Sequence, residues 1–292
     1  MQHIKKYLSL IKFSHTIFAM PFALIGFFLG YKKLYYEGSI HPTDSIKKLL
    51  LVIGCMVFAR SAAMAFNRYL DKEFDAKNPR TAIREIPAGL IKANHALLFT
   101  IGCCTLFVFC SLMINSLCFY LSFVALFVIL FYSYTKRFTS LCHLVLGAGL
   151  SLAPIGAYLA VVGQFNLLPI LFSLIVLCWV SGFDIIYSLQ DEAFDKLHKL
   201  HSIPAAVGIE KALRISELLH LLSAIGIIYA GYYGNFGVAY WIGAILFIGM
   251  LIYQHTIVKP TDLSRVNVAF MTTNGIASVV LSIFVIIDLI FN

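Results

Sequence analysis

Polar residues fall in bands along this chain, and the stretches between the bands are almost wholly apolar. Those stretches run roughly 18 to 24 residues, the length an α-helix needs to cross a hydrocarbon layer about 30 Å thick. Barrel-type alternation is absent, which leaves helices as the way across a bilayer. Nine spans are predicted, at roughly 14–31, 49–68, 94–113, 115–134, 141–162, 167–189, 212–233, 237–256 and 268–291. Ahead of the first, residues 3 to 13 set Ile4, Tyr7, Leu8 and Ile11 on one face and lysines on the other, the pattern of a short helix lying in the interface. The first apolar run is long and no A-x-A site follows it, so it reads as a retained helix rather than a signal peptide.

Composition agrees. Of 292 residues 60% are hydrophobic and 12% charged, whereas soluble domains carry about 25% charged residues. The fold class is therefore all-α, a polytopic membrane protein, with residues 1–292 read as a single domain. With the N-terminus inside, most of the 22 Lys and Arg lie on inner segments; Lys32, Lys33, Lys47 and Lys48 lie outside, and Arg60 falls within a span. The net charge of +8 thus reports topology and gives no reason to invoke nucleic acid. The seven cysteines sit in or beside apolar spans without a C-x-x-C, which suits buried small hydrophobes better than disulfides or metal ligands.

Two inner polar bands are long. The first opens with "NRYLDKEFDAKNPR", which gathers seven charged side chains (Arg68, Asp71, Lys72, Glu73, Asp75, Lys77, Arg80). The second, "QDEAFDKLHKLHSIPAAVGIEK", runs from Gln190 to Lys211. Each begins where a span reaches the inner surface, and each carries two carboxylates four apart: Asp71 with Asp75, and Asp191 with Asp195. A spacing of four puts a pair on one helical face, about 6 Å apart along the axis. Asn67 and Tyr187 each stand four residues before the first aspartate and extend the polar stripe. The two bands share D-x-x-F-D, a basic stretch and I-P-A, a pattern expected of an internal duplication.

Like charges four apart repel, and two such pairs facing one cavity would repel further unless a divalent cation lay between them. Oxygen-only ligands point to Mg2+ or Mn2+, and Mg2+ is commonly held by carboxylates together with substrate phosphates. Arg68, Lys72, Arg80, Arg84, Lys136, Arg137 and Lys196 supply what an anionic phosphate ligand needs. The plainer alternative is that either pair alone is a solvated loop feature. His198 and His201 form H-x-x-H, but the carboxylate setting argues against zinc and leaves phosphate contact or solvation. His15, in the first span, is either a core histidine or an acceptor contact.

These residues resemble the UbiA superfamily of membrane-intrinsic prenyltransferases. Its first motif, N-x-x-x-D-x-x-x-D, appears as Asn67, Asp71 and Asp75, followed by "NPRTAIR" from Asn78 to Arg84. Its second appears as Asp191 and Asp195, and its Y-x-x-x-K-R run as Tyr132, Lys136 and Arg137. Two departures stand out: Arg68 where many members have Asp, and Lys199 where Gly is frequent. The resemblance implies nine helices around a central cavity, a cytoplasmic cap made from the inner loops, and a lateral opening to lipid for an isoprenoid tail. It also implies Mg2+ held by Asp71, Asp75, Asp191, Asp195 and Asn67, with polyprenyl diphosphate and an aromatic acid as substrates. The setting would be ubiquinone or menaquinone biosynthesis at the bacterial inner membrane, with a cytoplasmic N-terminus.

A guanidinium within a span costs at least about 2.5 kcal/mol and is a functional candidate by default. Arg60 lies seven residues before Asn67, and Asp184 seven before Asp191, two turns deeper on nearly the same faces. Arg60 is expected to take an acceptor carboxylate, and Asp184 to position a hydroxyl or accept a proton; the alternative is a buried ion pair with a structural role only. Two other classes compete. A transporter of an anionic substrate would place its site near the midplane rather than at one surface. A CDP-alcohol phosphotransferase, another lipid-diphosphate-using enzyme, would need a D-G-x-x-A-R run, which is missing here.

Overall fold

The structure, a computed structural model, describes residues 2–11, 18–39 and 42–292. His15 lies outside the described residues, as does the beginning of the first predicted span. Every element is helical: α1 (Gln2–Leu10), α2 (Met20–Tyr36), α3 (Pro42–Leu70), α4 (Lys72–Lys77), α5 (Ala93–Ile114), α6 (Ser116–Thr135) and α7 (Cys142–Val162), then α8 (Leu167–Ser188), α9 (Glu192–Leu197), α10 (Ile203–Val207), α11 (Ile209–Tyr233), α12 (Val238–Ile257) and α13 (Asn274–Phe291). Among the described residues eight helices are long and apolar enough to cross a membrane. The first predicted span, 14–31, is the one outside these eight; its described part is α2, which at 17 residues is slightly shorter. The chain is an integral membrane protein.

Local chemistry sets the corners. Asn115 ends α5 and caps α6, its Oδ1 accepting from Cys118 N at 2.8 Å while its Nδ2 donates to the Leu159 carbonyl at 3.0 Å. Gly163, with φ of 72°, closes α7 in the left-handed conformation that a glycine adopts without strain. A π-helical turn, Val268–Thr273, leads into α13, and the Asn274 side chain satisfies two of its carbonyls, those of Ala269 and Phe270.

The bundle has a filled side and a hollow side. On the filled side α2, α8, α11, α12 and α13 close around Phe22, Phe172, Trp179, Tyr240 and Phe247, all buried. On the hollow side α3, α5, α6 and α7 surround an apolar cavity of about 310 Å³. Between them α7 and α8 approach closely: a Cβ added at Gly147 would stand 2.3 Å from Ser181 Oγ and 2.6 Å from the Leu177 carbonyl. Small residues permit such backbone contact in membrane bundles, where dispersion rather than water exclusion drives packing. The contact lies toward the Cys142 end of α7 and the Ser188 end of α8.

Both motif helices break at their C-terminal ends. α3 stops at Leu70 and α4 restarts at Lys72; α8 stops at Ser188 and, after the turn Leu189–Asp191, α9 restarts at Glu192. The break residue is an aspartate both times, with nearly the same backbone: φ −90° and ψ 8° at Asp71, φ −103° and ψ 2° at Asp191. This is the sparsely populated bridge region where many active-site residues sit. The second aspartate of each motif lies in the six-residue helix that follows.

Candidate active site

A polar cavity of about 180 Å³ opens where the two breaks face one another. Asn67, Asp71, Asp75, Arg80, Arg84, Tyr132, Lys136, Arg137, Asp184, Tyr187, Asp191 and Asp195 all line it. The two motifs, more than a hundred residues apart in sequence, therefore share one chamber. Tyr132 and Leu146 also line the apolar cavity, so the two cavities have a common wall.

Each aspartate holds a cation. Asp71 is bridged by Arg137 at 3.1 Å on Oδ1 and accepts from Asn67 Nδ2 at 2.9 Å on Oδ2. Arg137 also donates to the Leu70 carbonyl at 3.0 Å, so it caps α3 at the negative end of its dipole. Asp75, buried, is met by Arg84 at 2.5 Å. Asp195, fully buried, pairs with Lys136 at 2.8 Å and accepts from Ser202 Oγ at 2.8 Å. Asp191 is the most heavily bonded: the Arg80 guanidinium forks onto both its oxygens, and Asn78 Nδ2 adds a third contact at 3.0 Å. Arg80 further donates to Tyr187 OH at 2.8 Å, and its guanidinium stacks over the Tyr187 ring.

Burial pushes the Asp71 carboxyl up to about 6, against the pull of Arg137, with the nearby Asp75 charge adding to the rise. Burial alone would lower Lys136, yet the Asp195 carboxylate outweighs it and holds the ammonium above its ordinary value. The chamber is thus charged, desolvated and balanced by its own side chains.

A divalent cation fits this donor set. All four acids are hard oxygen donors, and the buried Asp75 Oδ2 has no hydrogen-bond partner. Among the described residues no three His, Cys, Asp or Glu side chains are already grouped to hold a metal. The acids are instead spread among their cations, so a metal would enter by exchange with Arg and Lys.

Three expected site residues stand elsewhere. Arg68 is buried, with Nε unpartnered, and lines neither cavity. It follows Asn67 by one residue, about 100° around the helix from the motif face. Lys196 is likewise one residue past Asp195 and pairs with Glu192 on the exposed side of α9. Arg60 lines the apolar cavity, not the polar one, with Nε unpartnered. Of the H-x-x-H histidines, His198 stacks on Phe194 and bonds its carbonyl, while His201 contributes backbone contacts to Lys136 and Cys142.

Sequence reasoning missed Asn78, Ser202 and His143. Asn78 ties the first loop to Asp191, Ser202 holds Asp195 while capping α10, and His143 holds Asp184, with Nδ1 2.7 Å from Oδ2. The repeated D-x-x-F-D pattern gave no signal for Ser202: Thr81 stands six residues after Asp75 and donates to its carbonyl, whereas Ser202 stands seven after Asp195 and donates to its carboxylate. His143, a lone histidine beside an apolar run, carried none.

Comparison with known proteins gives a consistent picture. The model of the UbiA prenyltransferase family matches residues 17–276. A 4-hydroxybenzoate octaprenyltransferase of Tolumonas auensis is 32% identical over 234 residues, covering 80% of this chain and 81% of that protein. The apo structure of a UbiA homolog from Aeropyrum pernix superposes with a TM-score of 0.78 at 27% identity, covering 94% of this chain and 97% of its own. A UbiA homolog from Archaeoglobus fulgidus bound to DMAPP and Mg2+ shares the fold, with a TM-score of 0.76 at 19% identity over 98% of this chain and 100% of its own.

Proposed function

The chain belongs to the UbiA prenyltransferase family, and from that premise we propose that it transfers a polyprenyl chain from polyprenyl diphosphate to the ring of 4-hydroxybenzoate or a related hydroxynaphthoate. The step would serve ubiquinone or menaquinone biosynthesis in a bacterial cytoplasmic membrane, with the N-terminus inside. The observation that carries this reading is the single chamber lined by both aspartate pairs, walled off by Tyr132 and Leu146 from an apolar cavity. The relatives' activity on 4-hydroxybenzoate and the Mg2+ and DMAPP bound by the archaeal homolog support it.

Asp71, Asp75, Asp191 and Asp195 would hold Mg2+, with Asn67 keeping Asp71 oriented. Bound there, Mg2+ supplies positive charge for the departing diphosphate. Arg80, Arg84, Lys136 and Arg137, exchanged off the acids, donate charge-assisted hydrogen bonds to the same oxygens. The allylic carbon–oxygen bond breaks with its electron pair leaving on diphosphate. A ring carbon beside the phenolic oxygen then forms the new carbon–carbon bond, and the proton it displaces passes to Asp184 and on to water. Tyr132, on the wall between the cavities, faces the path of the allylic cation, and aromatic faces stabilise cations by about 0.5–2 kcal/mol. Tyr187 keeps Arg80 aimed at the diphosphate end.

Arg60 is suited to the acceptor carboxylate, because an unpartnered guanidinium nitrogen in an apolar wall gains most from an anion. The test is a membrane assay with Mg2+, a polyprenyl diphosphate and a panel of aromatic acids. One preferred acid prenylated, and product lost with chelator, is the expected result; no product from any acid contradicts the reading. Folded R60A should raise acceptor KM alone, and an unchanged KM removes the carboxylate role.

A further inference from the structure

His143 stands one residue inside the start of α7 and is buried, yet it lines the polar cavity. Both ring nitrogens are engaged. Nε2 accepts the backbone N–H of Ile203 at 3.3 Å, and Nδ1 lies 2.7 Å from Asp184 Oδ2. An Nε2 that accepts carries no proton, so the proton sits on Nδ1 and is donated to the carboxylate. The backbone that carries the ring is pinned to α8: Ser181 Oγ donates to the His143 carbonyl at 3.2 Å, and Gly147, one turn along, lets α8 close against α7.

The partner of Nε2 belongs to the second inner loop. Ile203 follows Ser202, whose hydroxyl donates to Asp195 Oδ2 at 2.8 Å. A continuous line of contacts therefore runs from Asp195 at the diphosphate end, through Ser202 and Ile203, to His143 and then Asp184. Asp184 keeps one oxygen on His143, which leaves the other for substrate.

We propose that His143 is a positioning residue for the aromatic acceptor: it fixes the Asp184 carboxylate, and because the second inner loop fixes its own ring, acceptor recognition depends on that loop being seated. This rests on the reading that Asp184 meets the aromatic acid. A ring held only for packing would influence both substrates alike; a ring that orients Asp184 influences the acceptor alone.

The experiment uses the full chain purified in nanodiscs, with the preferred aromatic acid and the prenyl diphosphate varied separately. H143L removes both ring contacts and is expected to raise acceptor KM about tenfold while prenyl diphosphate KM stays within about twofold. H143Q, whose amide can donate to Asp184 and accept from Ile203, is expected to restore acceptor KM to within about threefold of wild type. In a D184N background H143L should add less than about twofold, because the two changes remove one interaction. The inference is overturned if H143L leaves acceptor KM unchanged, raises both KM values equally, or multiplies with D184N. Should H143L not yield a monodisperse protein, H143N, too short to reach both partners, replaces it with an expected rise of about fivefold, and no rise overturns the inference equally. A wild-type protein that prenylates no aromatic acid fails at the earlier step, so the two failures are distinct.

Discussion

The two motif loops are built alike and charged differently. Each begins at an aspartate in the bridge region, runs through a six-residue helix bearing the second aspartate, and returns through a hydroxyl that ties back to that second residue. The first loop supplies cations as well as acids. Arg84 meets its own Asp75, while Arg80 and Asn78 cross to Asp191. The charged groups that the second loop brings to the chamber are its acids; Lys196 pairs with Glu192 outside it, and Asp195 takes its cation from Lys136 at the end of α6. Matched backbones with unmatched charges teach that the acids form the shared element, and that the first loop together with the α6–α7 corner provides the counter-charge that must move when substrate enters.

The sharpest way to break this comparison is to remove one acid from each loop. D71N and D191N should each lower kcat/KM by about a thousandfold, and the double variant should be little worse than either, since groups acting as a unit are not additive. Independent losses that multiply would mean two separate sites. R80A comes next, with a fall of about a hundredfold in kcat/KM measured at saturating Mg2+, because Arg80 is the cross-loop fork. R84A should reduce activity less but destabilise more, by about 3 kcal/mol in denaturant titration, since it leaves the buried Asp75 uncompensated. N78A removes a single neutral donor to Asp191 and should cost about fivefold in kcat/KM. The smallest effect is K199G: Lys199 sits at φ 54°, so glycine should raise stability by about 0.5–1 kcal/mol without altering turnover, read as a higher Tm.

Much of this was legible in the sequence, for physical reasons. The spans follow from runs of apolar residues, and the motif acids follow from spacing at helix ends. Spacing placed the acids and fell short for their neighbours: Arg68 and Lys196 share a motif with the acids but not a face, and neither lines the polar cavity. The hollow side was not legible. The apolar 18-residue stretches within Ala93–Ile114 and Ser116–Thr135, beside the apolar cavity, have mean hydropathies of 2.4 and 2.1, while the one within Leu167–Leu197, on the filled side, has 2.1. In a bilayer an apolar side chain suits lipid, core or cavity wall equally, so hydropathy cannot separate them. His143 was hidden for the related reason that its partner Asp184 lies on another helix, 41 residues away.

The claim on which the account depends is that acids from both loops share one metal-bound diphosphate. The most direct measurement is the anomalous scattering of Mn2+ in crystals grown with a non-reacting prenyl thiodiphosphate. The account predicts metal contacted by at least one carboxylate from each loop, with Arg80 and Lys136 moved from Asp191 and Asp195 onto the diphosphate. Metal held by the acids of one loop alone, with Arg80 still forked onto Asp191, would contradict it.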